Sequence, residues 1–315
     1  MRVEQTNTAY NNYRIPALIK LENGRLLAAY ECRNSVSDWA VIDIKIVRSD
    51  DDGKTWQTVL LISGEGEHTM NNPVLIVEGN TVHFLYCRNY RQLFYRKSID
   101  GGETFSQAVN VPVELKNGET YTVLAVGPGH GIAHKGALIT PIWFANNPLD
   151  VKAHHPSFIA TLYSLDHGNT WAVGEQIGKN LFINPSECAV AVTGEDKVLL
   201  SIRNENGEKR RGLAVSETGY SDWGNVHFAS NLPDPICQGS MTSANGVIYH
   251  VNCASTQGRK NLTLKISSDG FQTSKNILVD EVGEYSDIAV QGNVAYILYE
   301  RDAINDGIYF KKIQL

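Results

Sequence analysis

One short pattern is written three times in this chain. Ser49-Asp50-Asp51-Asp52-Gly53-Lys54-Thr55-Trp56 recurs as Ser98-Ile99-Asp100-Gly101-Gly102-Glu103-Thr104-Phe105, and again as Ser164-Leu165-Asp166-His167-Gly168-Asn169-Thr170-Trp171. The shared skeleton is Ser-x-Asp-x-Gly-x-Thr-aromatic. Ser and Asp fold back onto nearby backbone N–H groups, and Gly permits a positive φ. The Thr and the aromatic then open a strand. Two worn copies follow. Ser216 to Trp223 has Thr218 where the Asp belongs, and Ser267-Ser268-Asp269-Gly270 runs on into Phe271 and Ser274 where Gly and an aromatic belong. Starts at 49, 98, 164, 216 and 267 give a period of about fifty residues, the size of a four-stranded propeller blade. Five marked blades and a last one closed by the two chain ends predict an all-β, six-bladed β-propeller.

The rest of the chain agrees. Ala17-Leu18-Ile19-Lys20-Leu21 and Leu26-Leu27-Ala28-Ala29-Tyr30 flank Glu22-Asn23-Gly24-Arg25, and Asn-Gly between apolar runs marks a hairpin. Similar hairpins are expected around Gly79-Asn80, Asn245-Gly246 and Gly292-Asn293. No long capped amphipathic helix and no linker interrupts the pattern, so residues 1–315 read as one domain. The run Gly307 to Ile313 reads as a strand that pairs with the N-terminal region and closes the ring.

Composition narrows the function. With 42% hydrophobic and 20% charged residues, the chain reads as a soluble globule without a membrane-spanning segment. A net charge of −6 argues against nucleic acid or an anionic membrane as a partner. Lys209-Arg210-Arg211 follows a polar run and reads as a solvated hairpin tip. Cys32, Cys87, Cys188, Cys237 and Cys253 are scattered in apolar contexts, so neither a disulfide framework nor a metal set is implied. His134, His154 and His155 lack partners at ligand spacing, and no phosphate-binding loop is present. No metal and no cofactor are expected. The N-terminus has no apolar core, so no signal peptide is expected. That places the protein in the cytoplasm, the alternative being a processed secreted form. Asn261-Leu262-Thr263 then reads as an accidental sequon.

Residues outside the repeats carry the chemistry. Tyr13-Arg14-Ile15-Pro16 resembles the opening motif of the sialidases, a family of six-bladed propellers. Val126-Gly127-Pro128-Gly129-His130-Gly131, Cys237-Gln238-Gly239-Ser240, Glu284-Tyr285-Ser286-Asp287 and Leu298-Tyr299-Glu300 are similar to further segments of that family. Their order and spacing run through essentially the whole chain. The resemblance implies removal of a terminal sialic acid from sialylated glycans, and it implies roles for particular residues. Arg14, Arg203 and Arg259 match the three arginines that hold the substrate carboxylate. Guanidinium suits that task because its planar fork grips a carboxylate and keeps its charge. Tyr285 matches the nucleophile, a known departure of sialidases from the two-carboxylate rule of glycosidases. A phenol titrating near ~10 needs a base, and Glu187 matches it. Asp38 matches the acid/base, with Asp43 as its rival, although alternation in Val41 to Ile46 points Asp43 outward. Arg33 resembles an extra arginine near the sugar's 4-hydroxyl. Asn72 or its neighbour Asn71 is expected to meet polar groups of the sugar, and Gln238 to face it. Glu300 resembles the carboxylate that orients the first arginine. Trp143 is either a pocket aromatic or core.

The resemblance implies a retaining exo-α-sialidase. A non-catalytic sialic-acid-binding propeller needs only the arginines, and a protein-interaction scaffold predicts no convergence of Arg14, Arg203 and Arg259. A trans-sialidase shares the same constellation.

Overall fold

A computed structural model describes residues 1–4, 9–301 and 307–315. The described strands form six sheets of four or five strands, arranged as a six-bladed β-propeller. The first blade runs Asn12–Lys20, Leu26–Arg33, Ile42–Ser49 and Gln57–Ile62 in strict antiparallel order. The sixth mixes both chain ends. Gly283–Gln291, Val294–Arg301 and Ile308–Gln314 are followed outward by the N-terminal strand Arg2–Glu4. The expected terminal closure therefore exists, with the N-terminus supplying the outermost strand. None of the described helices is long and apolar enough to cross a membrane.

The core is divided among the seams between blades. Leu27, Ala29, Ile44 and Ile46 of the first blade pack with Leu75, Phe84 and Tyr86 of the second. From the opposite face of the first blade, Leu18, Ala28, Tyr30 and Cys32 pack with Leu298, Ile308 and Phe310 of the sixth. The other four seams are filled in the same way. Successive side chains of a strand point to opposite faces of a sheet. In this ring both faces meet a neighbouring blade, so every residue of Leu26–Arg33 is buried. Inner strands therefore read as continuous apolar runs, not as apolar/polar alternation.

The repeated octads form the turns between the third and fourth strands. In the first three copies the Asp accepts from the Thr hydroxyl at 2.6 Å and from the Thr N–H at 2.8–3.0 Å. The Ser hydroxyl accepts the N–H of the fifth residue, Gly53, Gly102 or Gly168, at 2.8–2.9 Å. Those glycines have φ of +80 to +85°, and each abuts the preceding blade: Gly53 at Phe310, Gly102 at Leu27 and Gly168 at Tyr95. The fifth copy keeps this lock, with Thr273 on Asp269 at 2.6 Å and the Phe271 N–H on Ser267 at 2.9 Å. Phe271 adopts the positive φ itself, +67°, and its ring fills the seam with the fourth blade beside Leu213 and Leu232. In the fourth copy the Thr218 hydroxyl takes the place of the carboxylate and accepts the Ser221 N–H at 3.1 Å.

The cluster Lys209-Arg210-Arg211 is not a solvated tip. Arg210 is exposed, but Arg211 is fully buried. Its guanidinium donates to Ser201 Oγ, to the Cys237 carbonyl at 2.7 Å and to the Glu187 carbonyl at 3.3 Å. A run of like charge gave no sign of this, because Arg210 and Arg211, successive residues of one strand, point to opposite sides of it. All five cysteines are buried thiols.

The turns are expected to contribute to stability mainly as seam contacts. An alanine Cβ at Gly102 would lie 2.2 Å from Leu27, whereas at Gly24, also at positive φ, it would meet nothing within 4 Å. Gly24→Ala is expected to cost about 1 kcal/mol, and Gly102→Ala about 2–4 kcal/mol. Urea denaturation of the two variants checks this, equal losses being the contrary result.

Candidate active site

The octad turns follow the third strand of each blade. The ends of the second strands and the starts of the first strands lie at the opposite mouth of the ring, and the site is there. A hollow of about 150 Å³ is lined by Arg14, Asp38, Asn72, Trp143, Glu187, Arg203, Arg259 and Tyr285, together with Ile15, Tyr90, His154, Asn184, Ser186 and Glu205. Residues more than 270 positions apart in the chain meet around it.

Arg14 stands at the start of the first inner strand. The ladder with Leu26–Arg33 shifts between Arg14 and Ala17, and Ile15 sits at φ +59°. Pro16 has no N–H to give, and the bulge takes the Ile15 N–H out of the ladder. Buried Glu300 accepts that N–H at 2.7 Å and holds Arg14 at 3.3 Å. Its carboxyl is pushed up by burial, while Arg14 and the Ile15 amide pull it back.

Tyr285 is buried at the start of the innermost strand of the sixth blade. Its hydroxyl lies 2.8 and 2.7 Å from the two Glu187 oxygens and accepts from Arg203 at 2.8 Å. Arg203 also pairs closely with Glu187. The guanidinium groups of Arg14 and Arg259 stand 4.9 and 5.3 Å from the centre of the Tyr285 ring. Burial raises the phenol well above its ordinary range, with Arg203, Arg259 and Arg14 pulling the other way. Arg259 is exposed and pairs with Glu284 at 3.0 Å.

Asp38 faces the same hollow. Partial burial pushes its carboxyl up, but Arg33 at 2.8 Å, with Arg14 and His154 behind it, prevails and holds it below the ordinary carboxylate range. The rival Asp43 is not in the hollow, because its carboxylate accepts from Tyr10 and from the Gly64 N–H. Asn72 lines the hollow, whereas Asn71 is buried behind it and donates to the Asn72 side chain at 3.1 Å. Arg33 lies behind the wall, fully buried, and Trp143 serves both as lining and as core.

Gln238 is a correction. It does not line the hollow. It is buried and bonds both backbone groups of Ser286, at 3.0 Å each. Its amide is used up in pinning the fifth blade to the strand that carries Tyr285.

Four site residues were not found from the sequence. Tyr90 and His154 stack with Trp39 and Trp143, with ring centres 5.0–6.5 Å apart. Burial lowers His154, with Asp38 and Glu187 opposing, and its Nε2 has no partner. Glu205 accepts from Asn184 at 2.7 Å. Glu31 holds Arg33 through two donors and accepts the Asn72 N–H at 2.8 Å. A signal for Glu31 did exist, since Tyr30-Glu31 echoes Tyr299-Glu300. Among the described residues no group of three His, Cys, Asp or Glu is placed to hold a metal ion.

Residues 58–297 match the BNR repeat-like domain family. A sialidase of Bacteroides fragilis is 26% identical over 85% of this chain, and an exo-alpha-sialidase of Arthroderma benhamiae is 26% identical over 84%. The chain spans 56% and 69% of the lengths of those two proteins. The solved structure of the Hadza microbial sialidase Hz136 superposes on 98% of this chain and 66% of its own, with a TM-score of 0.84 and 25% identity. The matched repeats cover well over half of the chain, which therefore belongs to the BNR repeat-like domain family, and the relatives it resembles along most of its length are sialidases.

Proposed function

We infer that this chain is a retaining exo-α-sialidase acting on the terminal sialic acid of glycans. One observation carries the reading. The Tyr285 hydroxyl lies within 2.8 Å of both Glu187 oxygens, in a hollow where Arg14, Arg203 and Arg259 converge. A purely carbohydrate-binding ring has use for the arginines but none for a buried phenol on a base. An interaction scaffold has use for neither.

The residues act in order. Arg14, Arg203 and Arg259 take the carboxylate carried on the anomeric carbon. Asp38 protonates the departing glycosidic oxygen as positive charge develops at that carbon. Tyr285 attacks, giving its proton to Glu187. Because burial raises the phenol, no standing phenolate is present at neutrality, and the proton leaves as the bond forms. A neutral nucleophile also avoids the repulsion that a carboxylate would meet beside the substrate's own negative charge. Water, deprotonated by Asp38, then displaces Tyr285, whose departing oxygen takes its proton back from Glu187, and the two inversions leave the configuration unchanged.

Three outcomes follow. With α-linked sialyl-lactose, proton NMR is expected to show the α-anomer of free sialic acid first. Release of the β-anomer first would exclude retention, and no release would exclude the enzyme. Tyr285→Phe is expected to lower kcat by about a hundredfold or more while sialic acid binding by calorimetry changes little. Asp38 must carry a proton to act as the acid, and Arg33 favours its ionised form. The alkaline limb of kcat/KM is therefore set by Asp38, and removing the cation raises the pH at which the proton is lost. Arg33→Gln is expected to move that limb up by about one pH unit. A limb that stays in place would remove Asp38 from the acid role.

A further inference from the structure

Glu31 is a fully buried carboxylate beside the site for which the reaction above has no use. It stands near the end of the second strand of the first blade, Leu26–Arg33. Its Oε2 accepts from Arg33 Nε at 2.7 Å and from Arg33 Nη2, and its Oε1 accepts the Asn72 N–H at 2.8 Å. Only Nη1 of Arg33 is left for Asp38, at 2.8 Å. Side-chain exposure is zero for Glu31 and Arg33 and 41% for Asp38.

The arrangement repeats one already described, one blade further on. Glu300 lies near the end of the second strand of the sixth blade. It accepts the N–H of Ile15, a positive-φ residue before Pro16 in the next blade, and holds Arg14. Glu31 accepts the N–H of Asn72, a positive-φ residue before Pro73 in the next blade, and holds Arg33. The local sequences agree, Tyr299-Glu300 and Tyr30-Glu31. The two glutamates are equivalent positions of the internal repeat. They differ in what their arginine does next. Arg14 lines the hollow, whereas Arg33 turns to Asp38.

We propose that Glu31 is a positioning residue of the acid/base, which fixes the Arg33 fork so that a single N–H reaches Asp38 and whose negative charge offsets the hold of Arg33 on the Asp38 carboxylate. This rests on the sialidase reading above. An acid paired with an unopposed guanidinium gives up its proton too readily to serve a poor leaving group. The charged and titratable groups that face Asp38 are Arg33, Arg14 and His154 on one side of the balance, and Glu31 with the Tyr90 phenol on the other. Without Glu31 the cations prevail further. Burial itself raises the Glu31 carboxyl, and Arg33 and the Asn72 amide act against that rise.

Glu31→Gln is nearly isosteric and removes the charge. Two substrates are compared: an aryl sialoside, whose phenolate leaves without much help, and sialyl-lactose, whose alkoxide needs the proton. The expected result is a kcat/KM loss on sialyl-lactose at least about tenfold greater than on the aryl sialoside, with the alkaline limb moved to lower pH. Equal losses on both substrates with an unmoved limb would mean a purely structural role and overturn the proposal. If Glu31→Gln does not fold, the pair Glu31→Gln, Arg33→Gln removes both charges together and strands neither. Its limb is expected at lower pH than that of Arg33→Gln alone, and a limb at the same pH or above it overturns the proposal. Wild-type protein that releases no sialic acid from either substrate would instead refute the enzyme reading, and this proposal with it.

Discussion

The molecule must bring several guanidinium groups together without letting them drive one another apart. Arg14, Arg203 and Arg259 line one hollow of about 150 Å³, with Arg33 behind its wall. Two unit charges ~7 Å apart repel by about 2 kcal/mol at an effective dielectric near ~20, and burial adds a desolvation cost to each. The chain meets this by giving every arginine its own carboxylate: Glu300 for Arg14, Glu187 for Arg203, Glu284 for Arg259, and Glu31 with Asp38 for Arg33. Arg203 Nε is buried with no partner, a donor the protein itself does not use. Glu187 has two contacts at once, neutralising Arg203 and accepting the Tyr285 hydroxyl.

These pairs also tie blades together. Glu300 joins the sixth blade to the first, Glu31 the first to the second, Glu187 the fourth to the sixth through Tyr285, and Gln238 the fifth to the sixth. Beneath them, Asp287 accepts from the Leu18 N–H at 2.7 Å and meets His130 at 2.7 Å. Burial works against an imidazolium at His130, but the Asp287 charge more than compensates and holds the ring above the ordinary imidazole range. Two segments that resemble the sialidases, Gly127 to Gly131 and Tyr285 to Asp287, thus meet inside the ring as a brace. Tyr285 sits two residues from that brace and one from the Gln238 clamp, so closure of the ring fixes the position of its hydroxyl.

The fold was legible because its turns are local chemistry. Asp51, Asp100 and Asp166 satisfy N–H groups within four residues, which a sequence displays directly. Even worn copies keep what matters locally, since Thr273 still meets Asp269 after the glycine has become Phe271. The arginines, Tyr285, Glu187 and Asp38 were legible only through resemblance, because no spacing in the chain encodes their meeting. Residues whose meaning depends on a neighbouring blade were misread or missed. Gln238 was given a sugar and holds a strand. Arg211 was given to solvent and lies at zero exposure. His154 and Tyr90 form a wall together that neither suggests alone.

The two rims of the ring use the same period for opposite ends. At the rim of the octads, the Ser and Asp of the intact copies satisfy N–H groups of their own turn, and the turn sets a bare glycine or, at Phe271, a ring against the preceding blade. At the other rim, Ile15, Asn72 and Asn184 each adopt a positive φ directly before a proline, at +59, +55 and +43°. For a non-glycine residue that backbone costs about 1 kcal/mol or more. At Ile15 and Asn72 the bulge also removes an N–H from the ladder and delivers it to a buried glutamate. A ladder that simply continued would have spent those groups on a neighbouring strand and left Glu300 and Glu31 with their arginines as the donors that remain. Strain at this rim is therefore what allows buried carboxylates to exist there, and the carboxylates are what allow the arginines.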